Sequence, residues 1–213
     1  MNKSKISSDS HPSSAGLLII ISAPSGCGKT TLVDRLLKRH PDWVRSISTT
    51  TRPPRVGEKD GEDYFFVAPQ RFEQMEAKEE FLESAKVFDY VYGTPKAYVM
   101  RSLQEGKKII LAIDIQGMKK VKKAVQKKIP FVTIFVLPPS VKVLRERLEG
   151  RKTETPEEIQ RRIELAQDEI KAASLYDYTV VNQNLEQTVF EIEDIIEKFQ
   201  KERRKNPSVL HTS

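Results

Sequence analysis

Residues Ser22 to Leu32 read SAPSGCGKTTL, and Gly28-Lys29-Thr30 within them is how a phosphate-binding loop passes into its helix. In such a loop, successive backbone N–H groups and the positive end of the helix cradle phosphate oxygens. The lysine reaches the outer phosphates and the hydroxyl ligates Mg²⁺. Ala23, Pro24, Ser25, Gly26, Cys27, Gly28, Lys29, Thr30 and Thr31 are therefore the candidate nucleotide-binding residues, with Thr30 the candidate metal ligand. The general pattern G-x-x-x-x-G-K-[ST] places glycine where this chain has Ala23, and alanine does not readily take positive φ. A ligand-free strand-to-helix turn would need Gly26, Gly28, Lys29 and Thr30 to coincide by chance.

Arg52 and Arg55 form a second candidate. They stand three apart in STTTRPPR, whose prolines stiffen the chain, and their planar forks suit a phosphate dianion. By themselves they fit a surface loop equally well. Cys27 also has two readings: a thiolate favoured by the helix N-terminus and Lys29, which ATP would protect from thiol reagents, or a small buried filler.

The elements that position the loop are legible on both sides of it. Leu17 to Ile21 is a continuous apolar run rich in β-branched residues, which suits a strand buried on both faces. Leu32, Val33, Leu36 and Leu37 then recur at helical spacing. Further strand-like runs span 109–113, 131–137 and 178–181, with helical patterns at 117–128, 140–149 and 185–203. Thr155-Pro156-Glu157-Glu158 combines an N-cap threonine, a proline at the first helical position and a glutamate three residues on, which opens a helix over about 156–173. This alternation implies an α/β fold with a parallel sheet buried by helices. Residues 48–98 break the rhythm with paired prolines, glycines, a strand-like piece at 64–67 and a helix-like piece at 72–78.

Composition narrows the function classes. The 213 residues carry 36 Lys+Arg against 30 Asp+Glu, a net charge of +6. Much of that excess is spread along one helix as Lys119, Lys120, Lys122, Lys123, Lys127 and Lys128, where a solvated face explains it. No nucleic-acid-binding motif accompanies it, so no nucleic-acid partner is expected. With Cys27 as the single cysteine, an intramolecular disulfide and a cysteine metal cluster are excluded, which fits a cytoplasmic location. No apolar stretch approaches the ~20 residues of a membrane span. The Ser-rich start superficially resembles a signal sequence, but its apolar run passes directly into the phosphate loop.

The stretches SAPSGCGKTTL, STTTRPPRVGEKDGEDYFFV, FLESAKVFDYVYGTP, IDIQG and RLEGRKTETPEEIQRRI follow one another as in guanylate kinases, and the chain resembles that family over about Gly16 to Phe199. The resemblance implies a P-loop nucleoside monophosphate kinase of α/β class that transfers phosphoryl from ATP to GMP, with Mg²⁺ required and dGMP as a further acceptor. It implies a kinase domain over 16–203, with a GMP-binding insertion at 47–98 and a lid at 139–168. The flanks, 1–15 and 204–213, are expected to be tails, and the chain a monomer or homodimer.

Carried over by residue, the resemblance places Arg52, Arg55, Tyr64 and Tyr92 around the GMP phosphate. Ser48 and Thr94 fall on the guanine O6 side, while Glu83 and Asp114 face the base's donor edge. Lys29, Arg52, Arg151 and Arg162 become the catalytic cations, and Arg147 joins Arg151 and Arg162 over the ATP phosphates. Each also has a quieter reading: packing for Tyr64 and Tyr92, a solvated charge for Glu83, a helix cap for Asp114, and a charged helix surface for the lid arginines. Ala112 stands where the family usually has an acidic residue. Two rivals remain: a related kinase for another monophosphate, and a module that has lost catalysis and binds protein ligands.

Overall fold

The structure, a computed structural model, describes residues 16–125, 128–150 and 155–206. A five-stranded sheet is built from β1 (Leu17–Ser22), β2 (Val44–Arg45), β7 (Lys108–Ala112), β8 (Phe131–Leu137) and β9 (Tyr178–Val181). Its order is β2-β7-β1-β8-β9, and every pairing is parallel. All six residues of β1 are buried, and they alternate between two cores. Leu17, Ile19 and Ile21 meet α1 (Lys29–Arg39) and α7 (Leu185–Lys205) through residues such as Leu32, Leu36, Ile192 and Phe199. Leu18 and Ile20 meet α3 (Lys96–Gln104) and α4 (Ile115–Val125) through Val99, Met118 and Val121.

A second sheet, made within residues 49–95, holds β3 (Thr49–Thr50), β4 (Phe65–Phe66), β5 (Phe81–Val87) and β6 (Tyr90–Pro95) in the order β4-β3-β6-β5. The helix α2 (Pro69–Ala77) packs on it by stacking Phe72 on Phe81, ring centroids 4.6 Å apart. The long hairpin of β5 and β6, and α3 after it, go beyond the strand and helix pieces expected in this region.

A third cluster lies over the phosphate loop. The helices α5 (Val141–Glu149) and α6 (Pro156–Lys171) enclose Cys27 with Leu144, Leu148, Ile159, Ile163 and Ala166. Thr155 and Glu158 form the expected reciprocal cap of α6. After α6 a 3-10 turn, Ala172–Leu175, leads into β9. In contrast to the expected start at Gly117, α4 begins at Ile115, because the Asp114 carboxylate accepts the Gly117 N–H at 2.7 Å and caps the first turn.

Candidate active site

Parallel sheets place ligands beyond the carboxyl ends of their strands, and here β1 ends at Ser22 in the phosphate loop. Within that loop, positive φ occurs at Gly26 (91°) and Gly28 (83°), and not at Ala23. The missing glycine is therefore not required by the backbone at that position. Lys29 and Thr30 are the first two residues of α1, so the loop N–H groups and the helix end point into one space. Lys29 Nζ donates to the Ile113 carbonyl at 3.2 Å, just past the end of β7. Burial pulls the Lys29 pKa below its ordinary value, against the attraction of Asp114 and Glu169.

That space is a cleft of about 470 Å³ between the two sheets and α6. It is lined by Ala23, Pro24, Ser25, Gly26, Gly28, Lys29, Thr30 and Thr31 on one side, and by Ser48, Arg52, Arg55, Tyr64, Glu83, Tyr92 and Asp114 on the other. Ala112 also faces it, and Arg162 reaches in from α6 to donate to Ser25 Oγ at 2.6 Å.

On the small sheet's side of the cleft, the polar contacts are organised around Arg52, which is 8% exposed. Its guanidinium donates to both Glu58 carboxylate oxygens at 2.8 Å and to the Pro53 carbonyl at 2.7 Å. Burial works against its charge, but the bonds to Glu58 and Tyr92 hold its pKa above the ordinary value. The Tyr64 ring lies 5.3 Å from the Arg52 guanidinium carbon and meets Tyr92 edge to face at 5.9 Å. Burial raises the Tyr64 pKa and keeps it a phenol, able to donate to a phosphate oxygen. The two tyrosines thus pack against each other and also line the cleft.

A second group of polar residues in the cleft rests on two carboxylates. Glu83, on β5, is 6% exposed, and one of its oxygens accepts from the Thr94 hydroxyl at 2.6 Å. Its pKa is pushed up to about 7 by burial, helped by Asp114 and opposed by the Thr94 bond. The two acids converge over Gly117, where a Cβ would stand 2.8 Å from Glu83 Oε2 and 3.1 Å from Asp114 Oδ1. Glycine is needed there for close approach, not for an unusual φ. A solvated Glu83 is overturned by this burial, while Asp114 serves as helix cap and cleft wall together.

Three expected residues lie elsewhere. Thr94 is fully buried beneath Glu83 and does not line the cleft. The Cys27 thiol is fully buried against α5 and α6, where burial pushes its pKa up to about 12, so the thiolate reading fails and the filler reading stands. Arg147 donates to the Asn182 carbonyl at 3.0 Å, beside the Asn182 side chain that holds the Cys27 carbonyl at 2.7 Å. It braces the loop and does not cover the cleft. Arg151 lies outside the described residues.

Sequence reasoning missed Glu169, a cleft carboxylate whose pKa burial raises to about 7 against the pull of Lys29. Its signal was present: Glu158, Arg162, Leu165 and Glu169 recur at spacings of four, three and four, a single helix stripe, and all line the cleft. Glu58, which fixes Arg52 with two bonds of 2.8 Å, carries no local sequence signal of that role.

Comparison with known proteins agrees with this geometry. The guanylate kinase family model matches residues 16–199. A guanylate kinase of Clostridium perfringens (strain SM101 / Type A) is 48% identical over 186 residues, covering 87% of this chain and 85% of the relative. One from Clostridioides difficile (strain 630) is 46% identical over 193 residues, covering 90% and 93%. The crystal structure of guanylate kinase from Anaplasma phagocytophilum superposes with a TM-score of 0.73 at 32% identity, covering 87% of this chain and 86% of that one. A phosphate loop facing a carboxylate pair across one cleft, in a chain matched along nearly its whole length, places this protein in the guanylate kinase family of phosphotransferase enzymes.

Proposed function

We propose that the cleft transfers the γ-phosphoryl group of ATP to the phosphate of GMP, giving ADP and GDP. The observation that carries this reading is the joining of Glu83 and Asp114 over Gly117, opposite the phosphate loop. Guanine presents N1–H and an N2 amino group beside an O6 acceptor. Two carboxylates accept those donors and the Ser48 hydroxyl donates to O6, whereas adenine offers an acceptor at N1 and no amino group at C2. The deoxyribose form presents the same base and serves as a second acceptor.

The attacking group is an oxygen of the GMP phosphate, already ionised near neutral pH, so no general base is needed. Catalysis then consists of alignment and charge neutralisation. Arg52, Arg55, Tyr64 and Tyr92 hold the acceptor phosphate, and Arg52 is already oriented by Glu58 before it arrives. Lys29 leaves the Ile113 carbonyl for the transferring phosphoryl group, and Arg162 stands beside Ser25 on the donor side.

The donor set fits Mg²⁺ carried in with ATP. Thr30 lines the cleft at the start of α1, Ala112 supplies no side-chain oxygen, and no group of three acidic, histidine or cysteine residues among the described ones forms a metal cage. Such a site suits an ion that keeps several waters and leans on substrate phosphates. Thr30 would hold the ion through its hydroxyl, and the ion would supply positive charge to offset that of the ATP phosphates.

An ADP-release assay with each nucleoside monophosphate tests the assignment. GMP is expected to exceed AMP by ~10⁴ in kcat/KM, because AMP leaves buried polar groups unpaired. Lys29→Ala is expected to lower kcat by about 10³ or more while GMP binding survives. Equal use of AMP overturns the substrate, and a Lys29→Ala enzyme within about tenfold of the unaltered one overturns the mechanism.

A further inference from the structure

Phe88 occupies the tip of the hairpin between β5 and β6 with φ at 55°, in the left-handed region. For a bulky side chain that conformation is an outlier, and turns of this kind ordinarily use glycine, asparagine or aspartate. The ring is also 40% exposed, so the hairpin itself gains little by burying it. Its contact is across the cleft. The Arg162 guanidinium carbon lies 5.3 Å from the centre of the Phe88 ring, and the same arginine donates to Ser25 Oγ at 2.6 Å.

A continuous line of contacts therefore runs from the acceptor side to the donor side. At the base of the hairpin, Glu83 pairs with Thr94 and Ala85 with Tyr92, so the strands that hold the acceptor ligands are the strands that carry Phe88. From Glu83 to Val87 the register is unbroken, beyond an irregularity between Phe81 and Glu83, so this part of the ribbon carries its tip and its cleft residues together. The aromatic face covers one side of the guanidinium plane and leaves its N–H edge directed at the phosphate loop.

We propose that Phe88 is a positioning residue that couples the two substrate sites: the hairpin that carries the GMP ligands steers Arg162 onto the phosphate loop. This inference rests on the ATP and GMP reading given above. The strained conformation at residue 88 sets the ring 5.3 Å from the Arg162 guanidinium carbon, a contact that offsets its cost. GMP, by fixing the hairpin, fixes Arg162 and so improves the site for ATP.

The test uses the full chain. Phe88→Gly removes the ring and suits the positive φ, so the thermal midpoint is expected to hold or rise. Calorimetry then measures the affinity for a non-hydrolysable ATP analogue with and without GMP. In the unaltered protein GMP tightens the analogue, and in Phe88→Gly that enhancement falls towards one. The kcat drops by about tenfold, and GMP affinity stays nearly constant without the analogue but loses its enhancement with it, because the coupling is reciprocal. Phe88→Tyr restores both readouts, and in an Arg162→Ala background Phe88→Gly adds no further loss. Absence of enhancement in the unaltered chain overturns the proposal, as do effects of Phe88→Gly within about twofold or losses that multiply in the Arg162→Ala background. If the unaltered protein does not phosphorylate GMP at all, the reading of the reaction falls; if it does and Phe88→Gly changes nothing, only the coupling falls.

Discussion

Glu83 carries conflicting demands. In the proposed GMP site guanine's donors call for its carboxylate, yet the free protein buries it beside Asp114 and raises its pKa to about 7. On that reading, GMP binding near neutrality is expected to release a proton from Glu83. The affinity for GMP is expected to rise as pH passes upward through about 7 and then level off. Glu83→Gln should bind GMP weakly at every pH and lack that step, keeping only the titration of the ligand's own phosphate. Calorimetry in buffers of different ionisation enthalpy counts the proton directly, and an unaltered protein that releases none contradicts the assignment. Nothing in the sequence around Glu83 indicates its burial, since it follows Glu79 and Glu80 in what reads as a solvated acidic run. The two-fold alternation of β5 decides it: Glu83 and Ala85 face inward, while Lys86 does not.

At the scale of elements, legibility followed the strength of local signals. The start of α6 was readable because Thr155, Pro156 and Glu158 each act within one turn, and the Thr155 N–H does donate to Glu158 at 2.8 Å. Asn184 and Ser140 likewise cap α7 and α5 with their side chains. The helix α3 follows Pro95, which offers no side-chain acceptor, and its start carried no such mark. The hairpin turn was hidden for the opposite reason: Phe88 holds a conformation that sequence patterns assign to smaller residues, against its own preference. Because α6 brings Arg162 and Glu169 to the cleft, its cap matters beyond stability. Thr155→Ala is expected to cost about 1 kcal/mol. Thermal melts should show that loss, and steady-state kinetics should show KM rising for ATP more than for GMP; the reverse order would detach α6 from the donor side.

For the whole molecule, two raised carboxylates set the acid side of the stability profile. Glu83 and Glu169 both have folded-state pKa values near 7 against an ordinary 4.5, so between those values the folded chain holds more protons than the unfolded one. Stability of the nucleotide-free protein is thus expected to fall as pH rises from about 4.5 to 7. Pairs such as Glu193 with Arg39 and His40, and Glu105 with Lys107, act oppositely at lower pH, because their carboxylates are held below the ordinary range. Denaturant melts across pH, with and without GMP, check this: GMP should stabilise more at pH 8 than at pH 6, and a flat difference would show that the buried acids are not where the ligand acts.

The small sheet is one uninterrupted passage of chain, leaving the main body after Ser48 and rejoining it at Lys96. A lineage, or an engineer, seeking a different acceptor has a splice point at each end, and the donor apparatus on β1, α1 and α6 is inherited unedited. One residue escapes the exchange. Asp114 belongs to the main body, held there by its duty to the first turn of α4. A transplanted passage would therefore meet an aspartate suited to guanine already waiting in the host, and must either accommodate that heirloom or bring a second mutation to remove it.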